Sequence, residues 1–458
     1  MLPVLRNRTY RHLFTAQVVA LVGTGLATVA LSLLAYDIAG ANASAVLGTA
    51  LAIKMVAYVG IAPMVGAFAD RIPRRALLVT MDLTRAAVAL ALPFITQVWQ
   101  IYLLIFLLQA ASAAFTPTFQ ATIPEVLPAD RDYTRALSMT RLAYDLESLF
   151  SPALAAGLLA VVSYDWLFAG TTVGFLASAA LVVSAVLPKP APVERTGGVY
   201  SKAAFGTRLF WATPRLRALL ALDLAVAAAG AIVFVDTVVL VRDHLHLPAG
   251  AVSLALGAYG AGSMATALLL PRTLQRFSER TVMLPAAFTL PAILAAVAVA
   301  TAVKPSGWSW PVLLAAWAAI GAACSAVLTP GGRVVRRSAA DADLPAAFAA
   351  QFSLSHSCWL LTYPLAGWLA AAAGLPVTAA VLGLIALVAT TAAAAFWPLR
   401  DPARLDHIHA DLPVGHPHLT DAHRTAGGWQ HGHDYVIDLN HRHWPRPAWS
   451  RARQATPS

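Results

Sequence analysis

Charge is scarce in this chain. Asp, Glu, Lys and Arg make up 12% of its 458 residues, hydrophobic residues make up 59%, and the mean hydropathy is +0.67. So few charges cannot solvate the surface of a soluble domain, which excludes a globular water-soluble protein. Cysteine is scarcer still: Cys324 and Cys358 both fall inside apolar runs, which argues for buried thiols rather than a disulfide framework. The two-residue alternation of a barrel strand is missing, so the apolar runs are helices. There is no Gly-rich Lys-Ser/Thr phosphate loop, no nucleophile–base constellation and no cofactor loop. An enzyme and a nucleotide-driven pump are therefore not expected, and no cofactor is implied.

What is present is a series of apolar runs of membrane-spanning length, about 20 residues for a hydrocarbon layer of about 30 Å. They fall at 12–36, 44–65, 76–96, 99–121, 136–161, 165–187, 216–240, 249–271, 281–303, 310–329, 346–372 and 375–397. The expected fold is all-α and integral to the membrane, with twelve transmembrane helices in two six-helix bundles. Residues 1–187 form the first bundle, 188–215 a Pro-, Gly- and Arg-rich cytoplasmic linker, 216–397 the second bundle, and 398–458 a cytoplasmic tail. With the N-terminus inside, 20 Lys and Arg fall in inner segments and only Arg242 and Lys304 outside. That asymmetry predicts an inner-membrane, multi-pass protein with both termini cytoplasmic. It also explains the net charge of +10 without a nucleic-acid partner. Lipid and a small-molecule or metal-ion substrate are the expected partners, and a monomer is compatible with the sequence. The first run exceeds a signal-peptide core and reads as a retained helix. The halves rhyme: Thr116-Pro117 is followed by Pro152 after 35 residues, and Thr329-Pro330 by Pro364 after 34. Such a duplication describes a secondary transporter with its site between the halves.

The most specific motif is "GAFADRIPRR", Gly66 to Arg75, between spans two and three. Gly66 permits close helix approach, Asp70 suits the positive end of a neighbouring helix, and Arg71, Arg74 and Arg75 can pair with carboxylates or lipid phosphates. An ordinary positive-inside anchor would also collect arginines here. At these residues the sequence resembles the major facilitator superfamily, in which this loop is implied to latch the inner gate. Pro73 stands where the commonest form has Gly. Span five, "RLAYDLESLFSPALAAG", is similar to the superfamily's antiporter motif at Pro152. Glu147, Ser151, Ala155 and Ala156 replace its glycines, so small-residue packing is what survives.

Ionisable groups at bilayer depth are functional candidates. Arg141 and Asp145 are one turn apart and can neutralise each other, as can Asp82 and Arg85; either pair could equally serve only to fix helix rotation. Glu147 lies about 200° around the helix from Asp145 and needs a different partner, which makes it the candidate proton-coupling carboxylate. Asp223 and Asp236 have no local cation and could attract a cationic substrate, although Asp236 could instead lie at the outer surface near Arg242 and Asp243. Lys54 could snorkel or balance an acid. In span eleven, "QFSLSHSCWLLTYPLAGWL" holds His356 and Cys358, suited to transition metals; a regular helix sends them to opposing faces, so one ion could bind both only after local unwinding.

Nine of the thirteen histidines lie in the tail. Four His-x-His pairs, His407/His409, His416/His418, His431/His433 and His441/His443, flank the lone His423. In an extended chain each pair presents two imidazoles to one side. Asp406, Asp411, Asp421, Asp434 and Asp438 could add oxygen ligands. The composition reads as a flexible metal-binding tract for Ni2+ or another divalent transition metal, with a pH-responsive tail as the competing reading. Tail, span eleven and the Asp-Arg-x2-Arg-Arg loop together resemble the nickel-resistance exporters of the superfamily. That resemblance implies proton-coupled efflux of nickel or a similar ion, the tail collecting or sensing metal. An exporter of drugs, siderophores or other amphiphilic organics, and a non-transporting membrane metal sensor, are the alternatives.

Overall fold

The computed structural model describes residues 2–39, 43–68, 72–159, 161–187, 199–303, 305–307, 309–399, 401, 404–409, 412–413, 417–419, 421–425, 427–438, 441 and 444. The first half contains α1 (Arg8–Ala39), α2 (Ala43–Phe68), α3 (Arg74–Ala91), α4 (Val98–Val126), α5 (Asp130–Leu159) and α6 (Tyr164–Ser184). In the second half, α8 (Pro214–Ala231) runs on through a π-helical turn (Ile232–Asp236), α9 (Thr237–Val239) and a second π-turn (Leu240–His244). It is followed by α10 (Ala249–Thr273), α11 (Glu279–Ala302), α12 (Ser309–Arg336) and α13 (Leu344–Phe396). Among the described residues, nine helices are long and apolar enough to cross a membrane, making this a multi-pass membrane protein. α13 is 53 residues long and breaks at Gly374, whose φ of 82° suits a residue without a Cβ. The break coincides with the expected gap between spans eleven and twelve.

Two features depart from the sequence reading. The linker is not all loop: its second part winds into α7 (Val199–Ala212), which buries Leu209 and Phe210. The tail, read from composition as a flexible tract, carries among its described residues an antiparallel sheet of order β1-β3-β2, with β1 Arg404–His409, β2 His423–Thr425 and β3 Gly428–Asp434. Tyr435 and Ile437, just beyond β3, join the buried core of the second half. Histidines two residues apart, His407 and His409 in β1 and His431 and His433 in β3, follow the strand period.

Within each half the helices pack through small residues, as lipid provides no hydrophobic drive for association. Where α10 crosses α12, a Cβ on Gly262 would meet the Ala318 carbonyl oxygen at 1.9 Å, and one on Gly321 would meet that of Tyr259 at the same distance. Between halves, α2 lies against α13, and α5 against α10 and α12. Arg333, Arg336 and Arg337 around the end of α12 meet Asp130 at the start of α5, Glu279 at the start of α11 and Asp401 beyond α13, which also meets Arg215 at the start of α8, so these ends share one basic face of the bundle.

Candidate transport pathway and histidine site

Arg141, Asp145 and His356 meet the opposite half at the seam, whereas Asp82, Arg85 and Asp223 find their partners within their own half. Arg141 pairs with Asp145 at 3.1 Å, as their spacing predicts. Ser263 of α10 completes a triad the sequence did not reveal: its hydroxyl donates to Asp145 Oδ2 at 2.7 Å and accepts from Arg141 Nε and Nη2 at 3.1 and 3.0 Å. A hydroxyl can serve both roles at once, so one serine ties α5 to the opposite half. Glu147 turns away from this triad and interacts electrostatically with Lys54 of α2, whose ammonium lies 5.5 Å from the Tyr58 ring centroid.

His356 sits on the α2–α13 seam. Its Nδ1 is 2.7 Å from the Phe352 carbonyl, and its ring packs 4.2 Å from Phe352 and edge-on at 4.8 Å from Tyr58. With Nδ1–H donated to that carbonyl, Nε2 keeps a lone pair. Cys358 points elsewhere, its thiol donating to the Leu354 carbonyl at 3.5 Å. α13 stays helical between them, so the two do not converge on one ion. Asp223 is buried and accepts from Gln351 Nε2 at 2.8 Å, while its Oδ1 has no partner. Asp236 is only 1% exposed and ends the first π-turn with Oδ2 unpartnered. It is thus a buried acid and not a surface one. Asp82 and Arg85 pair inside the first half, with Ser178 donating to Asp82 at 2.7 Å.

The gating motif is only partly visible. Gly66 lies in α2, whereas Asp70 and Arg71 lie outside the described residues. Arg74 is buried against Glu125, and Arg75 donates to the Ala185 carbonyl. Both contacts stay within the first half. The charges that bridge the halves at the basic face are others, which sequence reasoning passed over as loop arginines. Arg336 of α12 pairs with Asp130 at 3.1 Å and donates to the Pro128 carbonyl at 2.8 Å. Arg333 joins Glu279 at 2.7 Å and also donates to Thr134 and to the Asp130 carbonyl. The Tyr133 hydroxyl adds a bond to the Gly332 carbonyl at 3.1 Å. A readable signal existed: the "TPGGRVVRR" end of α12 faces an α5 that begins with Asp130 and Asp132.

Beyond this lock the tail sheet is held by Asp401, which pairs with Arg215 at 3.1 Å and with Arg337. The Arg215 guanidinium also lies 5.0 Å from the Trp444 ring centroid. In the sheet, His407 of β1 stands opposite His431 of β3, and Leu405 opposite His433. Residues two apart share a face, so His407, His409, His431 and His433 project from one side. His418 from a 3-10 turn and His441 from the segment after β3 close over them. Six histidines drawn from all four His-x-His pairs therefore meet in space. Their chemistry is merged in one cluster, and His416 and His443 lie outside the described residues. His423 stands exposed on β2, apart from it. The groupings able to hold a metal contain imidazoles alone, so the tail aspartates are not direct ligands there. Asp438 instead accepts from His441 Nδ1 at 2.9 Å, and Asp411 lies outside the described residues. Burial, with neighbouring imidazoles adding to it, lowers the pKa of His407, His409 and His431 to about 4. Near neutrality these rings are uncharged and their lone pairs open to a cation.

Comparison with known proteins agrees with this architecture. The family model described as Major Facilitator Superfamily matches residues 13–241 and 224–431. An uncharacterized MFS-type transporter of Bacillus subtilis, YfiS, is 24% identical over 236 residues, 49% of this chain. The match spans 56% of that relative's length. Among solved structures, the human organic anion transporter MFSD10 (TETRAN) superposes with a TM-score of 0.72 at 13% identity, covering 84% of this chain and 99% of its own. A bacterial homologue of the iron transporter ferroportin, in an outward-facing state, gives 0.68 at 14% identity and covers 85% and 99%. The E. coli fucose:proton symporter FucP gives 0.65 at 15% identity and covers 85% and 98%. These likenesses establish the fold, and with the family match across both halves the chain belongs to the Major Facilitator Superfamily, a family of transporters and not of enzymes.

Proposed function

We propose that this chain is a proton-coupled secondary exporter of a divalent metal ion such as nickel, working by alternating access in the inner membrane. The observation that carries the reading is the imidazole cluster, fastened by Asp401 to Arg215 and Arg337 on the same face as the Asp130–Arg336 lock. The excess of basic residues on that face supports a cytoplasmic orientation for it. A tail there meets cytosolic metal beside the closed entrance. The lock shut on that side corresponds to the outward-facing arrangement. Glu147, balanced by Lys54, is the carboxylate suited to exchange a proton; buried Asp223 and Asp236, with half-buried His356, supply donors for a dication. The span-five motif with Pro152 supports the export direction.

The test is flux of radioactive nickel in reconstituted vesicles, with and without an imposed pH gradient, for the parent, Glu147→Gln and His356→Ala. Gradient-driven nickel movement by the parent, lost in Glu147→Gln and weakened in His356→Ala, is expected. Equal flux in all three removes both residues from the mechanism, and no nickel flux by the parent removes the metal-exporter reading. In that second case, loss of metal response on removing residues 401–458 would favour the sensor.

One observation favours a second reading. Gln17, Arg85, Phe115, Phe119 and Tyr144 line a pocket in the first half, and aromatic faces around a guanidinium suit an organic anion. Asp82 already neutralises Arg85 there, which ranks this reading below the first.

A further inference from the structure

The six tail imidazoles are arranged as the corners of an octahedron. Each ring lies 4.7–5.2 Å, centroid to centroid, from four of the others. The pairs left over are opposite corners: His407 with His418, which stand 6.4 Å apart, His409 with His433, and His431 with His441. Adjacent corners also approach at their ring nitrogens. His407 Nε2 is 2.9 Å from both His409 Nε2 and His441 Nε2, and His418 Nε2 is 3.2 Å from His441 Nε2. At a metal–imidazole distance of about 2.1 Å, neighbouring nitrogens stand about 3.0 Å apart at right angles but about 3.4 Å apart at tetrahedral angles. The two separations of 2.9 Å at His407 match right angles, and the third, 3.2 Å, falls between the two values.

The tautomers explain what these approaches are for. His407 donates from Nδ1 to the Leu405 carbonyl at 3.1 Å, His433 to the Asp434 carbonyl at 2.7 Å, and His441 to the Asp438 carboxylate at 2.9 Å. A neutral imidazole has one N–H, so in these three rings Nε2 carries a bare lone pair. When both rings are neutral, His407 and His441 point lone pairs at each other across 2.9 Å. Nε2 of His431 and of His433 is buried without a hydrogen-bond partner. Lone pairs converging on one point repel unless a cation occupies it, and outer hydrogen bonds that fix the ring tautomer are the usual support of a metal-bound histidine.

We propose that His407, His409, His418, His431, His433 and His441 together bind a single divalent first-row ion in an octahedral six-nitrogen site whose preferred occupant is Ni2+. This deepens the metal-binding reading of the tail and rests on it, but it does not depend on nickel being transported. The site excludes His423 and uses Asp438 only as an outer support of His441. Six imidazoles match an ion that favours six-coordination, whereas Zn2+ favours four and leaves two rings uncoordinated. Along the first-row series affinity rises from Mn2+ through Co2+ to Ni2+, so nickel heads the ions that accept this geometry.

The experiment uses the full chain in detergent, stripped with chelator and titrated with NiCl2, with X-ray absorption at the nickel edge. One Ni2+ per chain, six nitrogen neighbours and the weak visible bands of octahedral nickel are expected, with Co2+ binding less tightly and equimolar Zn2+ failing to displace nickel. Asp438→Asn should raise the Kd about 10–100-fold, and His423→Ala should leave it unchanged. Four-coordinate nickel, more than one tightly held ion per chain, or an equal loss in His423→Ala and His407→Ala would overturn the proposal. The spectrum of the unmutated chain decides even if a variant misfolds. Octahedral binding without vesicle flux would keep this site and remove the exporter; flux with four-coordinate nickel would do the reverse.

Discussion

Removing Arg333 should open the basic face more than removing Asp130, although Asp130 belongs to the more conspicuous ion pair. The Asp130 side chain is 77% exposed and meets Arg336 at 3.1 Å. Exposed pairs of this kind contribute about 0–1 kcal/mol, so Asp130→Ala should shift the balance between closed and open by less than about five-fold. Arg333 is 20% exposed and its guanidinium reaches across the seam to Thr134 and to the Asp130 carbonyl, a backbone acceptor that Asp130→Ala retains. Charge-assisted bonds of that type are worth about 1.5–3 kcal/mol, and with one of them long the pair contributes about 2 kcal/mol, roughly thirty-fold. The fold should survive, because Glu279 keeps Arg337 at 3.6 Å when Arg333 is lost. Electron–electron resonance between spin labels at Arg131 and Asp341, exposed on opposite halves, reads the distribution directly. A longer-distance population should grow strongly in Arg333→Ala and slightly in Asp130→Ala. Equal opening in both variants, or none in Arg333→Ala, would refute the assignment of the lock.

Other consequences follow from single contacts. Ser263→Ala deletes the hydroxyl that joins Asp145 and Arg141 to α10 but leaves their ion pair intact; thermal stability in detergent should fall by about 1 kcal/mol while any substrate flux falls further. Gly321→Ala places a methyl 1.9 Å from the Tyr259 carbonyl oxygen and should cost about 1–3 kcal/mol, whereas Gly257→Ala, with nothing within 4 Å, should leave the melting temperature unchanged or higher. Asp401→Ala strips a carboxylate from Arg215, which is 1% exposed, and should release the tail sheet to limited proteolysis while α1–α13 stay protected. An equally resistant tail in that variant would mean that Tyr435 and Ile437 hold it without the ion pair.

The sequence by itself determined the membrane class, because length and apolarity of the runs answer to one requirement, the hydrocarbon thickness. It also gave the Arg141–Asp145 pair, since a four-residue spacing on a helix fixes proximity regardless of what surrounds it. It placed the break near Gly374 and separated His356 from Cys358 by helix geometry alone. Ser263, by contrast, is an unremarkable serine in an apolar span, and Arg333 and Arg336 read as ordinary inner-loop cations. Their partners across the seam lie more than a hundred residues away. The tail shows the same division. Alternating histidines read as a metal-binding tract, but composition treats every pair alike. Only strand register and the return of His418 and His441 decided which imidazoles meet, because a ligand set is a property of distances in space and not of order along the chain.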